Sequence, residues 1–154
     1  MKNILFAIAD LIPSEHKWRE VCRIAQSSKA PLTIMHVMAD TTRLLNAVDG
    51  ALERNHGIKF PKREQDYYKK AESRLQDFID GQDTKQFQLI KITGLVKVGE
   101  VVDTILAEEQ TGKYDLLVLG RTPTKSLWSR IIGSVSKTVM KKSHTPVFLV
   151  PSSN

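Results

Sequence analysis

Leu116-Leu117-Val118-Leu119-Gly120, with Asp115 before it and the polar stretch Arg121 to Ile132 after it, decides the fold. Four successive apolar side chains on an extended backbone point to both faces, so the run reads as an interior strand of a parallel sheet covered on both sides. Gly120 ends it, and after the polar loop Ser134 to Lys142 reads as a helix, followed by a last short strand, Val147 to Val150. Toward the N-terminus the same alternation repeats. Asn3 to Ala9 is a first strand, and Ser14 opens a helix whose Trp18, Val21, Cys22 and Ala25 recur at three and four residues until about Ser28-Lys29. Leu32 to Val37 is a second strand, and Arg63 to Asp80 is helical through Tyr68, Ala71, Leu75, Phe78 and Ile79. Phe87 to Val98 is a third strand broken by Gly94, and Gly99-Glu100 leads into a helix that turns Val102, Ile105 and Leu106 inward. Ala39 to Lys62, of mixed polarity with Gly50, Gly57 and Pro61, is a long excursion whose role composition does not reveal. Strands alternating with helices predict an α/β fold, a doubly wound, five-stranded parallel sheet with helices on both faces. A length of 154 residues predicts one domain, 1–154.

Charge is uneven along the chain. The formal net charge is +6, yet Leu116 to Asn154 holds six bases (Arg121, Lys125, Arg130, Lys137, Lys141 and Lys142) and no acid, so the remaining bases and acids balance. A localised positive field suits a polyanion or the phosphates of a single nucleotide. The plainer reading is that Lys141 and Lys142 complement a helix C-terminus and the rest are solvated. Nucleic acid is not the expected partner, because neither a recognition helix nor an aromatic base-stacking pattern accompanies the charge. One cysteine, Cys22, excludes an internal disulfide and a multi-thiolate metal site, and its place on an apolar helix stripe makes it core. His16, His36, His56 and His144 form no ligand pair at helical or hairpin spacing, so no metal site is expected. Tyr67, Tyr68 and Trp128 read as packing residues, with covering a bound base as the alternative for Trp128. The opening apolar run stops at Asp10 without a cleavage signal, and no run approaches the length of a membrane span. A cytoplasmic location is the expectation.

In a doubly wound sheet the ligand crevice lies beyond the carboxyl ends of the strands, where strand order reverses. That rule nominates Ala9 and Asp10, Val37 and Met38, and Leu119 with Gly120 and the loop after it. The helix that follows begins Gly133-Ser134-Val135-Ser136. Free amides and the positive dipole end there make a phosphate seat with two hydroxyls close by. Taken singly, Gly133-Ser134 is an ordinary N-cap, Gly120 an ordinary strand-ending turn and Asp10 an ordinary turn residue.

Gly120, two residues, Pro123, nine residues, then Gly133-Ser134 resembles the nucleotide-binding motif of the universal stress protein family, which carries glycine where this chain has Pro123. The first strand with its terminal Asp10, the His36-Val37 ending of the second, Val98-Gly99-Glu100 and the closing Ser143-His144-Thr145-Pro146-Val147 to Pro151 resemble the same family. The resemblance implies an adenine nucleotide alpha hydrolase-like fold and an ATP-type site, with or without Mg. Asp10 and Val37 would lie near the adenine and ribose. Gly120 and the loop after it, Thr122 included, would surround the phosphates, and Gly133, Ser134, Val135 and Ser136 would hold them at the helix start. Lys125 and Arg130, or Arg121, would compensate for Pro123 by giving charge directly to the phosphates. It also implies a homodimer paired through Val147–Val150. Pro123 removes a backbone donor and fixes φ near −65°, so the loop cannot follow the all-glycine path there.

Three classes of function follow. The first is a nucleotide-responsive stress regulator, the second an enzyme with weak ATP hydrolysis, and the third a ligand-free dimeric interaction module that has lost ATP binding. Phosphoryl transfer needs a metal and usually a positioned base, and Asp10 is the only crevice carboxylate the sequence nominates, so strong catalysis is not expected.

Overall fold

Ile4–Ile8 forms β1, and all five side chains are buried because the strand is paired on both edges and covered on both faces. The computed structural model describes residues 2–39, 63–82, 90–120 and 133–151. Within them the chain runs β1, α1 (Glu15–Ser28), β2 (Leu32–Met38), α2 (Arg63–Asp80), β3 (Ile92–Val98), α3 (Val101–Glu109), β4 (Leu116–Gly120), α4 (Ser134–Lys142) and β5 (Val147–Val150). The five strands form one parallel sheet in the order β3-β2-β1-β4-β5. Ile4 is in register with Leu32 on one side and Leu116 on the other, so strand order reverses at β1 and a crevice opens between β1 and β4.

Period-two side chains divide the core between two faces. Ile4, Phe6 and Ile8 pack with Trp18, Val21, Cys22 and Ala25 of α1 and with Ala71, Leu75 and Ile79 of α2. Leu5 and Ala7 pack with Ile105 and Leu106 of α3 and Val139 of α4. The Trp18 and Phe78 rings meet edge to face at 5.2 Å, joining the two helices of the first layer.

Several boundaries differ from expectation for local reasons. β1 is shorter than Asn3 to Ala9. The Asn3 side-chain amide donates to Thr33 Oγ1 at 3.0 Å and the Asn3 backbone carbonyl accepts from the Asp115 backbone N–H, so the residue ties strands together rather than extending one. β3 is described from Ile92, with Ile90 and Lys91 outside the strand and the expected start at Phe87 outside the described residues, and it runs unbroken through Gly94, which sits in register with Ile34. Gly94 is a packing residue. A Cβ there would lie 3.1 Å from both Leu75 Cδ2 and Ile79 Cδ1, so its absence lets α2 approach β3 closely. Tyr67 is 55% exposed and does not pack, whereas the Tyr68 hydroxyl donates to Val96 O at 3.2 Å. Gly99 has a φ of +154° and a Cβ there would meet Thr104 Oγ1 at 2.6 Å, so the turn into α3 requires glycine.

Two buried acids close α3. Glu108 accepts from the Tyr114 hydroxyl at 2.7 Å and pairs with Lys97 at 3.0 Å. Glu109, only 4% exposed, holds the turn before β5. Its Oε1 accepts from Ser143 Oγ at 2.9 Å, His144 N at 2.8 Å and Thr145 N at 2.7 Å. Burial pushes both carboxyls up. At Glu108 the hydrogen bonds from Tyr114 and Lys97 and the charges of Lys97 and Lys113 outweigh it, and at Glu109 those from Ser143, Thr145 and His144 do, leaving both below the usual 4.5.

A lowered folded-state pKa means stability that is fully present above the unfolded value and lost as pH falls through the folded one. Urea midpoints should therefore be level from about pH 7 to 5 and fall below about 4.5. Glu109→Gln should cost about 1.5–3 kcal/mol at neutral pH and flatten the acid fall, as read by urea denaturation.

Candidate functional site

At the β1–β4 reversal lies a cavity of about 410 Å³, within the range of small-molecule sites. Its walls are supplied by strand ends and helix starts. Ala9 and Asp10 follow β1, Leu119 and Gly120 end β4, Val37 comes from β2, and Gly133, Ser134, Val135 and Ser136 open α4. All nine residues were nominated by the sequence. Arg121, Thr122, Pro123, Lys125 and Arg130 lie outside the described residues, as do Trp128, His56 and 40–62. Met38, the neighbour of Val37, packs instead against the α1–α2 side of the core.

The start of α4 carries amides that have no partner within the helix. Its first intrahelical bond is Lys137 N–H to Gly133 O at 2.9 Å, so the amides of Ser134, Val135 and Ser136 precede the ladder. The N-cap is Gly133, which supplies no side-chain acceptor for them. Lys141 and Lys142 occupy the last turn of the same helix, where they complement its negative end. Among the described residues, none of the C-terminal bases lines the cavity.

Apolar side chains make the other part of the wall. Met35, Val37, Val101, Ile105 and Leu119 give it a surface suited to a flat ring, while Asp10, exposed at the β1 end, offers a carboxylate. His36 Nδ1 donates to the Ile8 carbonyl at 3.3 Å, fixing the end of β2 against the end of β1. Pro13, Ser14, Lys17, Met35, Val101 and Ile105 also line the cavity without having been nominated. The apolar periodicity of α3 places Ile105 inward without saying that its first turn reaches the crevice. Nothing in the sequence marks Ser14 and Lys17 beyond a helix start.

A model of the universal stress protein family matches residues 1–151. The chain belongs to that family. No curated protein sequence matches it. Among solved structures it is similar to a universal stress protein from Lactobacillus plantarum, at 22% identity and a TM-score of 0.60 over 97% of both chains. It is also similar to a universal stress protein in complex with cAMP, at 20% identity and a TM-score of 0.60 over 99% of this chain and 98% of the other. A third similar structure is the universal stress protein from Archaeoglobus fulgidus in complex with dAMP, at 18% identity and a TM-score of 0.56 over 97% of both. At these identities the likeness carries the fold, the five-stranded parallel α/β sheet of the universal stress proteins.

Other reactive groups lie apart from the crevice. No helix among the described residues is long and apolar enough to cross a membrane, and no group of three His, Cys, Asp or Glu side chains there could hold a metal ion. Cys22 is fully buried in the α1 layer, and desolvation pushes its thiol up to about 12. A disulfide reagent at about pH 8 should therefore label native Cys22 about a hundredfold or more slowly than the urea-unfolded chain, following the rate of thiol release by absorbance.

Proposed function

We propose that this universal stress protein binds an adenine nucleotide of the ATP type and acts as a nucleotide-responsive stress regulator, a single domain spanning 1–154 in the cytoplasm. One observation carries the reading: the 410 Å³ cavity joins an apolar wall to the uncapped start of α4. The adenine lies along Met35 and Val37 with Asp10 near the ribose, and the phosphates take the amides of Ser134, Val135 and Ser136. Gly120 lets them approach β4. Arg121, Thr122, Lys125 and Arg130 add donors and charge from the loop, and the readout to partners runs through that loop. Relatives of the same fold in complex with cAMP and dAMP support the adenylate class.

A Mg ion travelling with the nucleotide is held chiefly by phosphate oxygens and needs only one or two protein carboxylates, which Asp10 fits. It neutralises phosphate charge. Asp10 is the only carboxylate among the described lining residues, and with no second acid beside it the arrangement suits binding better than rapid hydrolysis.

The chain pairs with a second copy through β5. Among the described residues that strand is at the sheet edge and pairs with β4 alone, and Phe148 is 44% exposed on it, an apolar edge of the kind that proteins cover.

Titration calorimetry with ATP should give saturable heat, and Gly133→Val, which puts a branched side chain against the phosphate seat, should weaken binding at least about tenfold. A silent wild type would move the assignment to the ligand-free interaction module. Sedimentation velocity should show a dimer that Phe148→Asp converts to monomer, with the far-ultraviolet spectrum unchanged.

A further inference from the structure

Of the three Lys and Arg residues of α1, two are already neutralised. Arg19 pairs with Glu15 and Arg23 with the half-buried Glu20, each at 2.6 Å, in i,i+4 and i,i+3 pairs along the helix. Lys17 differs. It is half-buried, lines the cavity, and makes no ion pair among the described residues. Its Cδ, Cε and Nζ lie 3.1–3.2 Å from the point a Gly120 Cβ would occupy, so the side chain lies across the end of β4 where glycine leaves room. Ser14, one helical turn earlier, lines the same cavity, and its hydroxyl makes no cap bond to α1. These groups approach from the α1 layer, whereas the start of α4 belongs to the opposite layer.

Charge decides what they are for. Asp10 and Lys17 are the only charged side chains among the described lining residues. Without Lys17 that lining would be net negative, and a helix start offers only about half a positive charge. Among the described residues, half a charge at the start of α4 leaves Asp10 and a triphosphate unbalanced, whereas a monophosphate asks much less, so Lys17 adds to whatever the loop cations supply.

We propose that Lys17, with the Ser14 hydroxyl, forms a second anion subsite that receives the terminal phosphoryl groups of a nucleoside triphosphate and sets the preference for tri- over monophosphate. It rests on the adenylate reading for the base, and on its own geometry for the polyphosphate. Lys17 acts by binding alone, and no bond is made or broken.

The test compares ATP, AMP and inorganic tripolyphosphate by calorimetry on the full chain, wild type against Lys17→Met and Lys17→Arg, after thermal melts show that the variants fold. Lys17→Met should weaken ATP and tripolyphosphate about tenfold or more and AMP less than about twofold, while Lys17→Arg keeps most of the affinity. Lys17-dependent tripolyphosphate binding with no binding of ATP or AMP would uphold the subsite and sink the adenylate reading. Unchanged ATP and tripolyphosphate affinity in Lys17→Met, or equal losses for ATP and AMP, would overturn the Lys17 assignment while leaving nucleotide binding intact. A wild type that binds none of the three overturns both.

Discussion

A parallel strand buried on both faces and paired on both edges is the constraint from which the rest of the molecule follows. β1 satisfies its backbone through β2 and β4 and its side chains through two separate helix layers. Because the chain leaves β1 in one direction to build β2 and β3 and returns on the other side as β4, the two connections part above β1. The hollow beside Asp10 and Gly120 is the gap they leave. The cavity is thus a product of topology, and the side chains at the strand ends determine what it accepts.

The fold was legible because its signals are redundant. Leu116–Leu119 and Ile4–Ile8 are apolar on consecutive residues, and the helices carry stripes at three and four residues, so neither kind of element imitates the other. Pattern and structure part where one residue serves two purposes. Gly94 reads as a strand breaker but is the place where α2 rests on β3, and Asn3 reads as strand but fastens β1 to Thr33 and Asp115. Glu108 and Glu109 resemble surface acids of a helix end, and only the fold shows the donors that bury them.

At the crevice, the legible residues were those whose backbone matters. Gly120 and Gly133 to Ser136 are marked by spacing, and Ala9, Asp10 and Val37 by their place at strand ends. Lys17 and Ser14 lie on a helix whose periodicity speaks of its buried side, and Met35 and Ile105 are core by every local measure while forming part of the wall. Side chains that reach a site from the layers above and below a sheet leave no local trace, since it is the strand order that brings them together.

Helix α3 is a short rod, about 13 Å from end to end at 1.5 Å per residue. Val101 and Ile105 set one end of it into the wall of the hollow, and Glu109 clasps the turn that launches β5 from the other. A stiff rod cannot tilt at one end alone. The wall of the chamber and the turn into the outermost strand are therefore the two ends of one rigid element.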